Sequence, residues 1–292
     1  MKLRYSEAFY SVQGEGRWVG VPSLFLRVFG CNFECAGFGQ ERGKLIPVEE
    51  MPYNTDERAD PKHELAYTSI EELPVTPVGC DSSASWSKKY KHLQMTKTPE
   101  EVFEHLVSLL PDGTFEGRHG EDIHLVITGG EPLLGWQRVW PSLLSMCKEI
   151  GLKNVTFETN GTQKLKEPFK QWIKDTPEEI FFSVSPKLFT VSGEKTEKAI
   201  KPENVAEYQE CSSRGQLKFV VGSADREWDE MENTVQKFRD AGVNWPVWIM
   251  PTGAREEEQT ETAGKVAEEA FKRGYNVSAR VHVYLFGNAI GT

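Results

Sequence analysis

Residues 123–132 read IHLVITGGEP. An apolar, β-rich run, IHLVIT (123–128), meets two glycines, an acid and a proline, which is the pattern of a buried strand ending in a polar loop. The pattern recurs downstream in NVTFETNG (154–161), EEIFFSVSPK (178–187), QLKFVVG (216–222), VWIMPTG (247–253) and SARVHVYLFGN (278–288). Segments with helical periodicity lie between or before these strands. TPEEVFEHLVSLL has Thr98 as N-cap and Pro99 in its first turn, and WPSLLSMCKEIG (140–151) and DREWDEMENTVQKFRDAG (225–242) each close on glycine. TAGKVAEEAFKRG (262–274) is a further helix. Strands alternating with helices predict parallel βαβ units, in either a barrel or a doubly wound sheet. Both architectures place ligands at the carboxyl ends of the strands. Those ends read GGEP, ETNG, SPK and MPTG, so one shared polar rim is expected.

Upstream, residues 1–30 predict a strand, a glycine-rich turn (QGEGRWVG) and a second strand, SLFLRVF. The turn is no dinucleotide fingerprint, because its glycines run G-x-G-x-x-x-G and no helix pattern follows. From Ala36 to Gly79 the chain turns polar and acidic, broken by Pro47, Pro52, Pro61, Pro74 and Pro77, and reads as an insertion of little regular structure. Residues 1–292 otherwise read as one domain. The 44 acidic residues outnumber the 34 basic ones, giving a formal charge of −10. That excludes a protein built to coat nucleic acid, which needs clustered Lys and Arg. No run reaches the roughly 20 apolar residues of a membrane helix, and no signal-peptide layout is present. A cytoplasmic protein with reduced thiols is expected.

Within FGCNFECAGFGQ (29–40), Cys31 and Cys35 are separated by Asn32, Phe33 and Glu34, and no third thiol follows. Neither an iron–sulfur cluster nor a structural zinc is held by two thiolates alone. Of the remaining cysteines, Cys147 falls in an apolar helix, LLSMCKEI, and Cys211 in a plain loop, ECSSRG. Cys80, in VGCDSSASW directly after the insertion, restores a compact trio if residues 36–79 loop out. Lengthening the intervening loop about twentyfold costs about 3 kcal/mol in closure entropy. Metal–thiolate bonding is worth on the order of 10 kcal/mol or more, so the split site is affordable. Zinc requires a fourth ligand, which His63 or His92 could supply. A 4Fe–4S cluster on three cysteines instead leaves one iron open to a small molecule. GGEP offers backbone amides and a carboxylate suited to a ligand carrying an ammonium group, which favours the cluster.

CNFEC, CDS and ITGGEP together resemble the radical S-adenosylmethionine superfamily. Within it, EAFYSVQGEGRWVGVPSLFLRVFGCN is similar to the start of the 7-carboxy-7-deazaguanine synthase family, a likeness that continues through FETNG and SVSPK. Two positions depart from that family's pattern. Phe38 stands where its third cysteine falls, and Ser82 replaces the threonine after Cys-Asp. The resemblance implies a partial, open (β/α) barrel. It also implies a lyase of the queuosine-precursor pathway that converts 6-carboxy-5,6,7,8-tetrahydropterin to 7-carboxy-7-deazaguanine, by hydrogen abstraction and ring contraction with loss of ammonia. Another radical enzyme, such as a glycyl-radical activase, and a zinc-stabilised interaction protein are the rival readings.

Carried over by position, the resemblance implies that Cys31, Cys35 and Cys80 hold the cluster. Gly129, Gly130 and Glu131 would take the ammonium end of S-adenosylmethionine, with Glu158, Ser185, Pro186 and Lys187 nearer its ribose and adenine. Val12, Gln13, Gly14, Glu15, Arg27, Thr128 and His282 would contact the pterin, and Ser82 with Asp81 would bind Mg2+. No side chain is implied as catalytic beyond these cofactors. An electron donor such as a flavodoxin or ferredoxin and a homodimer are implied too, with no nucleic-acid or membrane partner. Simpler readings stand beside several of these. Glu15 can stabilise its own turn, Arg27 can be a surface or barrel-end residue, and Glu158 can cap a neighbouring helix. His282, alternating with Val281 and Val283, reads as a half-buried strand residue sharing a face with Arg280 and Tyr284. The acidic run REEEQTE (255–261) reads as a solvated loop and helix start.

Overall fold

The computed structural model describes all residues except 41–43, 75, 77, 178, 288, 289 and 292. Pro77 and the outermost residues of the strands expected at 178–187 and 278–288 therefore lie outside the described residues. The strands are β1 (Leu3–Val12), β2 (Pro22–Val28), β3 (Met95–Lys97), β4 (His124–Gly129), β5 (Val155–Thr159), β6 (Ile180–Val184), β7 (Gly215–Val221), β8 (Val247–Pro251) and β9 (Asn276–Val277). Among the described residues they form one nine-stranded sheet in the order β3-β1-β2-β4-β5-β6-β7-β8-β9. Its two ends do not pair with each other, so the barrel is open.

β1 runs antiparallel to both β2 and β3, and from β2 onward every neighbour is parallel. The crossovers are helices, as connections between parallel strands require. They include Trp140–Glu149 between β4 and β5 and Asp225–Asp240 between β7 and β8. Two crossover helices, Phe169–Asp175 and Pro202–Cys211, carry no sequence signal strong enough to have been predicted. Helix Pro99–Leu109 begins as expected, with Thr98 and Glu101 forming a reciprocal capping box. The β4 interior (Leu125, Val126, Ile127) is fully buried, as are Phe157 and Phe182 on the next two strands.

The insertion folds into short helical turns at Val48–Glu50, Pro52–Thr55, Glu57–Ala59 and Ile70–Glu72. These gather a small apolar core of Met51, Tyr53, Ala59, Tyr67, Ile70 and Leu73, completed by Tyr90. Its base is closed by a bond of 2.7 Å from the Gly79 amide to the Phe38 carbonyl. The segment after Asn276 corrects an expectation. VHVYLF is a short helix, Val281–Phe286, and not a strand. β9 ends at Val277, and the Ser278 and Val281 amides bond to Ile249 and Gly14. The β-branched alternation of ARVHV had suggested a strand, and tertiary docking overrides it. Among the described residues no helix is long and apolar enough to cross a membrane.

Candidate active site

A cavity of about 510 Å³ opens at the carboxyl ends of the parallel strands, and Cys31, Cys35 and Cys80 all line it. Local structure brings them together. The Gly30 amide bonds to the Ser85 carbonyl at 2.7 Å and the Gly37 amide to the Ser192 carbonyl at 2.9 Å. The Glu194 carboxylate accepts from the amides of Glu34 and Cys35. Cys35 itself has a positive φ of 49°, the kind of backbone strain that clusters at functional sites. Burial pushes the Cys31 thiol up to about 12 and raises Cys35 and Cys80 as well. Cys80 adds to the shift at Cys31, Cys80 and Cys31 add to it at Cys35, and Asp81 adds to it at Cys80, whereas the Lys187 ammonium opposes it at each of them. A bound metal cation reverses the balance and deprotonates such thiols.

The donor set fits a cluster better than zinc. Among the described residues no three His, Cys, Asp or Glu side chains are arranged to hold a single ion. The proposed fourth zinc ligands lie elsewhere: neither His63, which is half-buried, nor His92, which is exposed, lines the cavity, and each is bonded to its own turn. Thiolates of a cluster bind separate irons and need not converge on one point. Cys147 and Cys211 are buried apolar packing, at 0% and 3% exposure.

GGEP forms the adjacent wall. The Gly130 amide bonds to the Val28 carbonyl at 3.2 Å and the Glu131 amide to the Gly30 carbonyl at 2.8 Å, so β4 is stitched to the cysteine loop. Glycine is required at both positions. A Cβ on Gly129 would stand 2.2 Å from the Val28 oxygen, and one on Gly130 would stand 2.2 Å from the Gly30 oxygen. Glu131 is fully buried and does not line the cavity. Its carboxylate accepts from the Leu133 and Asn160 amides and the Thr159 hydroxyl, at 3.0, 2.8 and 2.7 Å. Burial nonetheless raises its pKa. Pro186 is likewise outside the lining, between Ser185 and Lys187, which belong to it and bond to each other at 3.1 Å.

The same cavity holds a chain of alternating charges that starts beside Cys80. Asp81 pairs with Arg280 (2.7 Å), Arg280 with Glu15 (3.1 Å), Glu15 with Lys218 (2.5 Å) and Lys218 with Glu158 (3.0 Å). The Gln13 amide group reaches Glu158 at 3.4 Å. Burial alone would raise the Glu15 and Asp81 carboxyls. The neighbouring cations outweigh it, Lys218 and Arg280 at Glu15 and Arg280 at Asp81, and hold both below the usual carboxylate range. Burial likewise opposes the charge on Lys218, and Glu15 and Glu158 outweigh it. His282 lies 4.0 Å from Glu15, and burial lowers its pKa, leaving a neutral imidazole at neutral pH. Gly14 has to be glycine here, since a Cβ would meet the His282 Nδ1 at 2.0 Å. The other flank holds Arg27, whose Nε bonds to Glu7 at 2.6 Å and whose Nη1 donates to the Ser82 hydroxyl at 3.3 Å. Ser82 in turn donates to Asp81 at 3.2 Å.

Val12, Gln13, Gly14, Glu15, Arg27, Asp81, Ser82, Thr128, Glu158 and His282 thus share one cavity with the cysteines. Sequence reasoning missed Lys218 and Arg280 as site residues. A lysine inside the apolar strand QLKFVVG was a usable signal, of the same kind as Arg27 in SLFLRVF. Arg280 had been noted only as a strand neighbour of His282, and it immediately precedes the helix that carries that residue. The acidic run belongs to helix Glu256–Lys272, where Glu258 and Glu261 line the cavity mouth.

No family model matches the chain. It is 26% identical over 291 residues to the 7-carboxy-7-deazaguanine synthase of Pyrobaculum aerophilum, covering 99% of this chain and 97% of that protein. The enzymes of the same name from Halobacterium salinarum and Rhodopirellula baltica are 27% and 26% identical, covering 98% and 99% of this chain and 91% and 89% of theirs. Among solved structures, QueE from Escherichia coli superposes with a TM-score of 0.54 at 19% identity, over 97% of this chain and 95% of that one, a likeness of fold.

Proposed function

We propose that this chain is a radical S-adenosylmethionine enzyme that makes 7-carboxy-7-deazaguanine, as the relatives it resembles along nearly all its length are named for doing. One observation carries the reading. Folding out the insertion brings Cys80 to Cys31 and Cys35 on a cavity that also holds the glycine strand end and the charged floor. Cys31, Cys35 and Cys80 would hold a 4Fe–4S cluster, which would supply the one electron that cleaves S-adenosylmethionine to the 5′-deoxyadenosyl radical for hydrogen abstraction from 6-carboxy-5,6,7,8-tetrahydropterin, ahead of ring contraction and loss of ammonia.

The remaining work is positioning and exclusion of water. Gly129 and Gly130 keep the wall beside the cysteines free of side chains, leaving room for the amino and carboxylate groups of S-adenosylmethionine. Ser185 and Lys187, which line the same cavity, would lie nearer its ribose and adenine. Arg27, braced by Glu7, presents its remaining guanidinium edge to the substrate carboxylate. Gln13 offers both donor and acceptor to a pterin edge, with Val12, Gly14, Thr128 and His282 around it. Asp81 and Ser82 provide the oxygen donors a hard cation takes. Arg280 competes for Asp81, so Mg2+ would depend on substrate oxygens as well. A small electron-transfer protein of the flavodoxin or ferredoxin kind as reductant, and a homodimer, complete the proposal.

The test is anaerobic incubation of reconstituted protein with reductant, Mg2+, S-adenosylmethionine and 6-carboxytetrahydropterin, followed by mass spectrometry. The expected product is 7-carboxy-7-deazaguanine. Formation of 5′-deoxyadenosine without it would reject the substrate, and formation of neither by cluster-loaded protein would reject the activity.

A further inference from the structure

Two buried hydrogen-bond donors beside Cys80 have no acceptor. Tyr53, in the core of the insertion, is 0% exposed, and its hydroxyl makes no hydrogen bond. It lies against Gly79, the residue before Cys80. A Cβ built on Gly79 would be 2.9 Å from the Tyr53 ring and 3.7 Å from its hydroxyl. Trp86 meets the Tyr53 ring edge-on, with centroids 4.9 Å apart and planes at 73°. Its indole N–H is also buried and unpartnered.

Trp86 lines the cavity together with Cys80, and consecutive turns fold it back there. The Ser83 amide bonds to the Cys80 carbonyl at 3.1 Å and the Trp86 amide to the Ser83 carbonyl at 3.1 Å. Burial raises the Tyr53 phenol, and Glu34, Cys80 and Cys35 add to the shift, so the hydroxyl keeps its proton within the field of both thiols. The indole N–H makes no hydrogen bond to the Cys80 thiol. An unpaired buried donor is destabilising, because it gives up its bond to water without a replacement. Two side by side imply an acceptor stronger than a neutral thiol, which accepts only weakly.

We propose that Trp86 and Tyr53 donate hydrogen bonds to the Cys80 thiolate sulfur when it ligates iron, and so raise the reduction potential of the cluster. The inference rests on the reading of Cys80 as a cluster ligand. Donors to a ligating sulfur stabilise the more electron-rich, reduced cluster. The inserted segment then contributes Tyr53 to the surroundings of the cofactor and is more than a spacer between ligands.

Tyr53→Phe, Trp86→Phe and the double variant keep the rings and remove the donors. After reconstitution, potentiometric titration followed by electron paramagnetic resonance reads the midpoint of the cluster. Each single variant should hold about tenfold less reduced cluster at a fixed potential, a shift of about 59 mV downward for a one-electron couple, and the double variant should shift further. Iron and sulfide content should match the parent. Pulsed resonance of the parent before and after transfer to deuterium oxide should show exchangeable protons coupled to the cluster. An unchanged midpoint in fully loaded variants overturns the proposal. So does the absence of exchangeable-proton coupling in the parent, which decides the matter even if a variant fails to load. A Cys80→Ala protein with undiminished iron would instead overturn the ligand assignment beneath it.

Discussion

Arg280 and Asp81 are 199 residues apart in sequence, yet the arginine Nη2 lies 2.7 Å from the aspartate oxygen. The same guanidinium donates from Nε to Glu15 at 3.1 Å. One side chain therefore ties the cysteine-bearing segment, the glycine-rich first turn and the final helix into a single wall of the cavity.

Removing that side chain leaves two carboxylates of like charge facing each other across a largely buried gap. Breaking a buried pair from one side costs about 3–5 kcal/mol. The Asp81 side chain is 34% exposed, so about 2–3 kcal/mol is expected for Arg280→Met, read as a lowered urea midpoint at constant slope. Asp81→Asn should lose less, because Arg280 keeps Glu15. The opposite ranking would mean that Asp81 is held mainly by other contacts.

His124 makes stability depend on mild acid. It is 1% exposed, its ring Nε2 lies 2.7 Å from the Thr156 hydroxyl, and burial, aided by Arg214, lowers its pKa from 6.5 to about 3. The unfolded chain thus binds a proton between those values that the folded chain refuses, and stability falls as pH drops below 6.5. Between pH 7 and 5 the loss from this residue is about 2 kcal/mol. His124→Gln should flatten the urea midpoint over that window relative to the parent, and parallel curves would refute the assignment.

Iron content should separate the five cysteines into two classes. After anaerobic reconstitution, Cys31→Ala, Cys35→Ala and Cys80→Ala should each lose most bound iron, whereas Cys147→Ala and Cys211→Ala should retain it. Those two should instead lose about 1 kcal/mol of stability from core truncation. Equal iron in the Cys80 and Cys147 variants would remove Cys80 from the ligand set.

Gly130→Ala tests the close approach of the glycine strand end to the cysteine loop. The added methyl would press on the Gly30 oxygen at 2.2 Å and sit 3.0 Å from the Cys31 Cβ. Backbone on one side cannot give way as a side chain can, so the loop has to shift. Displacements of that size at a reacting centre cost about a hundredfold in rate. 5′-Deoxyadenosine formation should fall by at least that factor, and retention of parental turnover would show that the strand end tolerates the shift.

The strand–helix alternation and the polar strand ends were legible because each is a local pattern. IHLVIT needs only its own residues to read as a buried strand. The place of Cys80 beside Cys31 and Cys35 on one cavity was legible by elimination, since Cys147 had a helical apolar context and Cys211 had none that suited a metal. The charge chain was not legible, because its partners lie far apart in sequence: Lys218 meets Glu15 across 203 residues. The final helix failed for a different reason. VHVYLF has the β-branched alternation of a strand, and its conformation is set by docking on Gly14 and the end of β8. Glu131 was read from its motif as facing a ligand, whereas its three hydrogen bonds direct it into the wall behind the glycines.

The bond from Gly79 to Phe38, with the apolar cluster it seals, gathers the thiols without help from iron. In small zinc modules ligation and folding are one event, and a chelator unfolds the chain. Here the cysteine trio sits beside an apolar core that folds without metal, so stripping any bound cluster should leave a folded chain. On the proposed reading, oxidative loss of the cluster would be damage to a replaceable part, and reloading would require iron, sulfide and reductant but no refolding.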